Sequence, residues 1–410
     1  MNKIIYNKTI ACFILTAILL IAISITGCLK ASRKPNQESP RKPTEILNTS
    51  PENKTDAKIK IPKYWFKFRG NLRNTGTNLN TTGPDKPVLK WKFRAKHEIM
   101  SSASFSSSGD VFIGSHDGNI YIVGRDGKGS IFFHTKETIT STPLVVEYYD
   151  RILWGNFDGN FYCVDGKGNL QFKFDTGDWI PSSPTISGDG KIFVTCRNGF
   201  LYCLDMKGEL IWKFEIGKQD YEIQSSPAIF ENSVIVGSAA GFVYRIDFDG
   251  SLIWKFKTDG DIYASPAVDN NGNIFIGSWD GTFYCVDKNG KSVWKYEAGS
   301  KITSSATLTI KGQIVFGAHD GNVYSLDKAG NILWKFDSGK SIESSPASDR
   351  NGNIYVGSDI GKMFALTPRG GKIWEFETKK PVLSSPSIGK NGEIVFGCED
   401  KYIYCIWDKK

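Results

Sequence analysis

Short apolar segments alternate with polar turns along most of the chain, and residues 264–298 show the pattern clearly. Four strands are predicted in this stretch, at 265–268, 273–277, 283–286 and 292–296. The turns between them contain Asn-Gly or Asp-Gly, which supply the positive φ that tight hairpins need. Four short strands joined by hairpins predict one blade of a β-propeller.

The same unit recurs eight times with a period of about 40 residues, which is typical of solenoids and propellers. Each unit has a step similar to Ser-Ser-Pro, a turn similar to Gly-Ser-x-Asp-Gly, a Tyr-x-x-Asp and a Trp-x-Phe. The third residue of the Ser-Ser-Pro step falls at Ala103, Pro143, Pro184, Pro227, Pro266, Ala306, Pro346 and Pro386. Because proline cannot donate to a β-ladder, this step is expected at an edge, on the innermost strand.

The fourth strand of each unit carries aromatic residues on one face with a lysine between them. The first aromatic position is occupied by Trp91, Phe133, Phe172, Trp212, Trp254, Trp294, Trp334 and Trp374. We interpret these tryptophans as side chains that dock each blade onto its neighbour. Replacing Trp254 or Trp294 with Ala is therefore expected to cost about 3–5 kcal/mol.

The two ends of the repeat are expected to join. After Trp374 there is room for only three more strands, whereas residues 88–93 have the fourth-strand pattern with no unit before them. Pairing 88–93 into the last unit closes the ring and leaves no exposed terminal blade. The sequence therefore predicts an all-β fold, an eight-bladed propeller of four-stranded antiparallel blades, over residues 64–410.

The first 27 residues predict an export signal, because a basic start is followed by an apolar run that ends in small residues. The run ends in Ile25-Thr26-Gly27-Cys28, which resembles the lipobox of bacterial lipoproteins. That resemblance implies lipidation of Cys28, while an uncleaved helical anchor stays open as the alternative. Both interpretations place the rest of the chain outside the cytoplasmic membrane.

Residues 28–63 predict a disordered tether, since a stretch rich in Lys, Pro, Asn, Ser and Thr buries too little apolar surface to fold. Most of the net charge of +8 lies before residue 64. A basic tether suits an anionic membrane surface. The nearly neutral body has no basic stripe, which argues against nucleic acid as a partner.

The run from Tyr324 through Asp327 and Gly330 to Trp334 resembles the PQQ-like β-propeller repeat family, and residues 65–76 resemble the lead-in that precedes such propellers. The resemblance covers about residues 64–407 and implies the propeller fold. It also implies one of two functions. Quinoprotein dehydrogenases of the family bind PQQ and calcium, whereas lipid-anchored scaffolds of the BamB type assemble outer-membrane proteins without catalysis.

This chain departs from the quinoproteins in lacking an adjacent Cys pair, and its even repeat leaves no room for active-site loops. We therefore expect neither PQQ nor calcium and no enzymatic activity. The predicted function is that of a monomeric, membrane-anchored scaffold that binds envelope protein or surface polymer. A quinoprotein, or another small-ligand enzyme that uses the axial channel, is the alternative.

Function is expected where the repeat breaks. The loop between Trp212 and Pro227 is longer than its equivalents and contains Lys218, Asp220 and Tyr221. Tyrosine on an exposed loop is a typical hot-spot residue. Trp179 and Tyr263 lie in equivalent loops, and we expect them to form an aromatic patch with Tyr221 at the channel mouth. A surface insertion without function remains the alternative.

Other reactive residues carry weaker signals. His116 and His319 share one turn position in two distant blades, but neither has a third ligand near it in sequence, so no metal site is predicted. The recurrent Ser pairs have no His partner, which leaves a serine nucleophile unsupported. Cys196 and Cys203 lie across one hairpin, as do Cys398 and Cys405. A disulfide in each hairpin is open outside the cytoplasm.

Overall fold

The computed structural model describes residues 62–217 and 224–408 of the chain. Over these residues the backbone forms eight four-stranded antiparallel sheets and one short 3-10 helix, Glu147–Tyr149. Seven sheets follow the sequence in strand order, as in the blades of a propeller, and the eighth places the N-terminal strand beside the C-terminal one. The predicted all-β, eight-bladed architecture is therefore confirmed.

The blades are numbered in chain order. Blades 1 and 2 contain β2 (Ser104–Phe105), β3 (Val111–Gly114), β4 (Asn119–Val123), β5 (Gly129–His134), β6 (Leu144–Val146), β7 (Arg151–Gly155), β8 (Asn160–Val164) and β9 (Leu170–Asp175). Blades 3 and 4 contain β10 (Thr185–Ile186), β11 (Ile192–Thr195), β12 (Phe200–Leu204), β13 (Leu210–Glu215), β14 (Ala228–Phe230), β15 (Ser233–Ser238), β16 (Phe242–Asp247) and β17 (Leu252–Lys257). Blades 5 and 6 contain β18 (Ala267–Val268), β19 (Ile274–Gly277), β20 (Thr282–Val286), β21 (Ser292–Glu297), β22 (Thr307–Leu308), β23 (Ile314–Gly317), β24 (Asn322–Leu326) and β25 (Ile332–Asp337). Blades 7 and 8 contain β26 (Ala347–Ser348), β27 (Ile354–Ser358), β28 (Lys362–Leu366), β29 (Lys372–Glu377), β30 (Ser387–Ile388), β31 (Ile394–Gly397), β32 (Tyr402–Asp408) and β1 (Pro87–Arg94).

Strand β1 closes the ring as the sequence predicts. It pairs antiparallel with β32, and Trp91 lies opposite Cys405. The strand runs from Pro87 to Arg94, one residue longer at each end than the predicted 88–93. The first and last parts of the propeller are thereby held in one sheet.

The innermost strands are shorter than predicted. The strand expected at 265–268 is hydrogen bonded only at Ala267–Val268, because Pro266 has no N–H to donate. The Ser pair before each inner strand instead ties the blades together. In blade 6, the Oγ of Ser304 accepts the N–H of Gly317 at 3.1 Å, and the Oγ of Ser305 accepts the N–H of Ser265 in blade 5 at 2.9 Å.

Each blade contributes one hydroxyl, from the residue just before the Pro or Ala of the repeat, to a hydroxyl ring around the axis. Its members are Ser102, Thr142, Ser183, Ser226, Ser265, Ser305, Ser345 and Ser385. In the described residues, seven backbone N–H groups of this ring donate to the hydroxyl of the next blade, at 2.8–3.1 Å. The recurrent serines therefore have a structural role.

The outer-strand tryptophans lie at the junctions between blades. Trp294 is half-buried, and its Nε1 donates to the carbonyl of Lys328 in the next blade at 2.9 Å. Its ring covers Gly330, where an added Cβ would lie 2.6 Å from Trp294. The same indole bond joins Trp212 to Phe248, Trp254 to Lys288, Trp334 to Pro368 and Trp374 to Pro84. Trp91 is almost fully buried against Gly127.

Residues 64–83 form a floor segment that crosses one end of the axis. Its backbone carbonyls accept N–H groups from inner-strand residues of blades 1, 2, 4, 5, 6 and 7, at 2.7–2.9 Å. Arg69 is fully buried and donates to the carbonyls of Ala306 at 2.8 Å and Ser345 at 3.1 Å. Because an added Cβ at Gly76 would overlap the Arg69 guanidinium, only glycine fits there. Within residues 62–217 and 224–408, no helix has the length and apolar character needed to cross a bilayer.

Candidate functional site

The end of the axis opposite the floor segment opens into a funnel. This cavity has a volume of about 470 Å³ and is lined by residues of every blade. Phe68 of the floor segment contributes to its lining, together with the hydroxyl ring. The funnel is therefore a pocket with one open side.

The funnel rim is set by two positions in each blade. One precedes the Ser pair and is occupied by Met100, Thr140, Pro181, Gln224, Tyr263, Thr303, Glu343 and Leu383. The other follows the second strand and is occupied by His116, Phe157, Arg197, Ala239, Trp279, His319, Asp359 and Glu399. Whereas the hydroxyl ring repeats in all blades, the rim residues differ in charge, size and aromaticity. The repeat therefore breaks at the rim, which is where function is expected.

One aromatic cluster on the rim joins blades 2 and 3. The rings of Phe157 and Trp179 stack at 4.7 Å with an interplanar angle of 10°. The guanidinium of Arg197 lies over Trp179 at 4.6 Å and approaches Asp178 at 3.6 Å. Trp179 is 40% exposed, so the stack presents an aromatic surface beside a cation.

A second aromatic cluster joins blades 5 and 6. Tyr263 and Trp279 have ring centroids 4.5 Å apart, and Lys301 Nζ lies 3.9 Å from the Trp279 centroid. Trp179 thus stacks on Phe157 and Tyr263 packs on Trp279, and both predicted residues line the funnel. Their patch with Tyr221 stays a prediction. Of the other predicted site residues, Lys218, Asp220 and Tyr221 lie outside the described residues, as does Cys28.

Carboxylates dominate the rim of blades 7 and 8. The pKa of Asp359 is raised to about 6, first by burial and then by the neighbouring charges of Glu343 and Glu399. Burial also raises the pKa of Glu399, with Glu98 and Glu343 adding to the shift. Arg197 and Lys301 thus place cations beside the aromatic clusters, whereas blades 7 and 8 contribute carboxylates.

Several buried polar atoms of the rim lack hydrogen-bond partners among the described residues. They are Arg197 Nε, Trp279 Nε1, Asp359 Oδ1 and His116 Nε2. Buried polar atoms are normally paired, and exceptions require an explanation such as a bound partner or water. These four atoms suit a surface that receives polar groups.

The remaining residues singled out in the sequence have structural contacts. Asp327 Oδ1 accepts the N–H groups of Ala329 and Asn331, both at 2.9 Å, so the recurrent aspartate holds the turn before the glycine. All six cysteines in the described part of the chain are free and buried. Cys196 takes the turn position that serine has in other blades, and its thiol contacts Thr176 Oγ1 at 3.2 Å. Neither hairpin disulfide is present.

The described residues of the funnel do not gather the carboxylates that a calcium ion would need. Calcium takes six to eight oxygen ligands. The one group of three or more potential metal ligands in residues 62–217 and 224–408 is His97, Glu98 and His116, and two of its donors are nitrogen atoms. Asp359, Glu343 and Glu399 do not converge closely enough to join such a group.

The geometry defines an eight-bladed PQQ-like propeller with a plugged axis and one variable rim. A family model described as outer membrane protein assembly factor BamB matches residues 157–261, 197–334 and 319–404. These stretches together cover more than half of the chain, which therefore belongs to this family. No curated protein matches the chain in sequence.

Solved structures share the fold. BamB from Moraxella catarrhalis superposes with a TM-score of 0.67 at 19% identity, covering 79% of this chain and 98% of that protein. Quinohemoprotein alcohol dehydrogenase from Comamonas testosteroni gives 0.73 at 11% identity, covering 84% and 80%. A europium-containing methanol dehydrogenase gives 0.71 at 10% identity, covering 84% and 98%. At these identities the likeness concerns the fold alone.

Proposed function

We propose that the chain is a non-catalytic propeller scaffold that binds a protein segment, or a surface polymer, at the funnel rim. The observation that carries this proposal is the contrast between a hydroxyl ring that repeats and a rim that does not. Membership of a family described as an assembly factor supports a protein partner in the cell envelope. The scaffold acts as a monomer and is held outside the cytoplasmic membrane through Cys28.

The rim has the features of a protein-binding surface. Trp179 and Trp279 supply aromatic anchors, and tryptophan is enriched among residues that dominate binding energy. Arg197 and Lys301 lie beside these rings and suit acidic groups of a partner. Asp359 and its neighbours suit a basic side chain, which would restore the ordinary pKa of the carboxyl.

The entry point of the chain suits a tethered scaffold. Tyr64 begins the floor segment, and its hydroxyl donates to Glu147 at 2.6 Å beside the turn that follows an inner strand. This side of the ring lies opposite the funnel. The first described residues therefore lie away from the proposed binding rim.

Site-specific photo-crosslinking in cells tests the proposed surface. A crosslinking amino acid at Trp179 or Trp279 should give a discrete adduct, whereas the same residue at Ile332, exposed on an outer strand, should give none. The double variant Trp179→Ala/Trp279→Ala should lose the partner in affinity capture, while Ile332→Ala retains it. Adducts at Ile332 alone, or unchanged capture by the double variant, would contradict the proposal.

A second experiment separates the scaffold from the quinoprotein alternative. The full-length protein is incubated with PQQ and calcium, and quinone absorbance and alcohol-dependent dye reduction are recorded. We expect neither bound quinone nor activity, because the rim carboxylates do not converge on a calcium ion. Quinone-dependent turnover would overturn the assignment as a non-enzyme.

A further inference from the structure

Three potential metal ligands meet on the rim of blade 1. His97 and Glu98 lie in the loop after β1, and His116 lies in the turn between β3 and β4. One ligand atom from each residue lies within 4.8 Å of the others. The sequence predicts no metal at His116, because no third ligand lies near it in sequence, but folding brings the loop with His97 and Glu98 beside it.

The backbone fixes the two turns against each other. The N–H of His116 donates to the carbonyl of Glu98 at 3.1 Å. Next to it, the N–H of Lys96 donates to Asp117 Oδ2 at 2.9 Å. Because both bonds join the same pair of turns, His116 is held beside His97 and Glu98 by the fold.

The three side chains lie within coordination reach of one another. His97 Nδ1 contacts Glu98 Oε2 directly, and the rings of His97 and His116 lie nearly parallel, with centroids 6.2 Å apart. Tetrahedral ligands about 2.1 Å from a zinc ion lie roughly 3.4 Å from one another. The His97 side chain, which is 54% exposed, therefore has to turn away from Glu98 to admit an ion.

His116 also has an unmet bonding requirement. Its Nε2 is buried and has no hydrogen-bond partner among the described residues. His319, at the same position in blade 6, differs because its Nε2 bonds to Thr303 Oγ1 at 3.0 Å. The two histidines occupy equivalent backbone sites, yet only His116 has a second histidine and a carboxylate beside it.

We propose that His97, Glu98 and His116 bind a zinc-class transition-metal ion at the funnel rim. Two imidazoles and one carboxylate suit zinc, nickel or copper, whereas calcium and magnesium require oxygen ligands. His116 lines both the funnel and the adjoining cavity beside Phe157 and Glu137. The coordination position left by three protein ligands therefore faces open space, where water or a donor of a bound partner completes the site.

Calorimetric titration of the full-length protein in detergent with Zn²⁺ alone tests the inference. We expect one ion per propeller, and at least about a tenfold loss of affinity in His97→Ala, Glu98→Gln and His116→Ala. His319→Ala is the matched control and should bind as the unmodified protein does. Co²⁺ should give the visible absorbance of a nitrogen- and oxygen-ligated ion, which His97→Ala abolishes.

The surface position of His97 and Glu98 keeps the test interpretable. His97 has 54% of its side chain exposed, so its replacement is expected to leave thermal unfolding in the absence of metal unchanged. Zn²⁺ should raise the melting temperature of the unmodified protein and of His319→Ala but not of His97→Ala. Failure of the unmodified protein to bind Zn²⁺, or equal affinities for His97→Ala and His319→Ala, would overturn the site.

Discussion

A close contact between neighbouring blades predicts a large effect from a single methyl group at Gly330. This glycine has a φ of +86°, and an added Cβ would lie 2.6 Å from Cδ2 of Trp294 in the preceding blade. Gly299 provides the control, since its φ is +79° and nothing lies within 4 Å of its added Cβ. Both substitutions strain the backbone in the same way, but only Gly330→Ala also displaces a tryptophan.

The expected magnitudes follow from these two effects. A left-handed alanine costs about 1–2 kcal/mol, which is the whole effect expected for Gly299→Ala. Overpacking adds about 1–3 kcal/mol at a filled site, so Gly330→Ala should lose about 2–5 kcal/mol. Trp294 is itself only half-buried, so Trp294→Ala should cost about 2–3 kcal/mol, less than the sequence alone suggested.

Urea unfolding of the two alanine variants measures the difference, and a double-mutant cycle isolates its cause. In the Trp294→Ala background, Gly330→Ala should cost only the backbone strain, which gives a coupling of about 1–3 kcal/mol. Equal losses for Gly330→Ala and Gly299→Ala, or additive effects in the cycle, would show that the methyl group does not act through Trp294.

Three further perturbations test the ring, the floor and the rim. Ser305→Ala leaves the buried N–H of Ser265 without an acceptor and should lose about 1–3 kcal/mol in urea unfolding, whereas Ser305→Thr, which keeps a hydroxyl at this position, should retain most stability. Arg69→Met keeps volume but leaves two buried carbonyls unpaired, and a loss of about 2–4 kcal/mol is expected by the same measurement; no loss would show that the floor is not held by the guanidinium. Because the folded pKa of Asp359 is raised to about 6, its carboxyl favours the folded state at low pH and this advantage is lost as pH rises from about 4 through 6. Asp359→Asn should therefore gain stability relative to the unmodified protein over that range, by about 1 kcal/mol at pH 7.5 after solvent screening, and a pH-independent difference would contradict the shift.

The sequence predicts the ring well because the ring is built from local rules repeated eight times. The closing strand was identifiable because Trp91 belongs to a fourth-strand pattern with no unit before it. The inner strands were less predictable: Ser265 and Pro266 precede Ala267–Val268, and the N–H of Ser265 bonds to the next blade. Such bonds link residues about one repeat apart and leave no periodic signal of apolar positions.

The floor and the rim escaped prediction for different reasons. Arg69 lies in a segment without strand or helix periodicity, so the sequence does not indicate that its side chain is buried. Its partners are carbonyls of blades 6 and 7, far away in the sequence. Arg197, Trp279 and Asp359 occupy the variable position of a turn, and comparing that position across all eight units would have found them. The loop containing Tyr221 was singled out because it is longer than its equivalents. The described rim instead differs from blade to blade in residue type, while the spacing stays constant.

The floor segment determines whether a chain could pass through the ring along its axis. With Arg69 and its neighbours bonded across the axis, the propeller is a cup rather than a tube. A chain or polymer bound at the proposed rim would therefore have to leave by the side it entered. Such a scaffold would hold a segment by its end or by a bend rather than thread it through the ring.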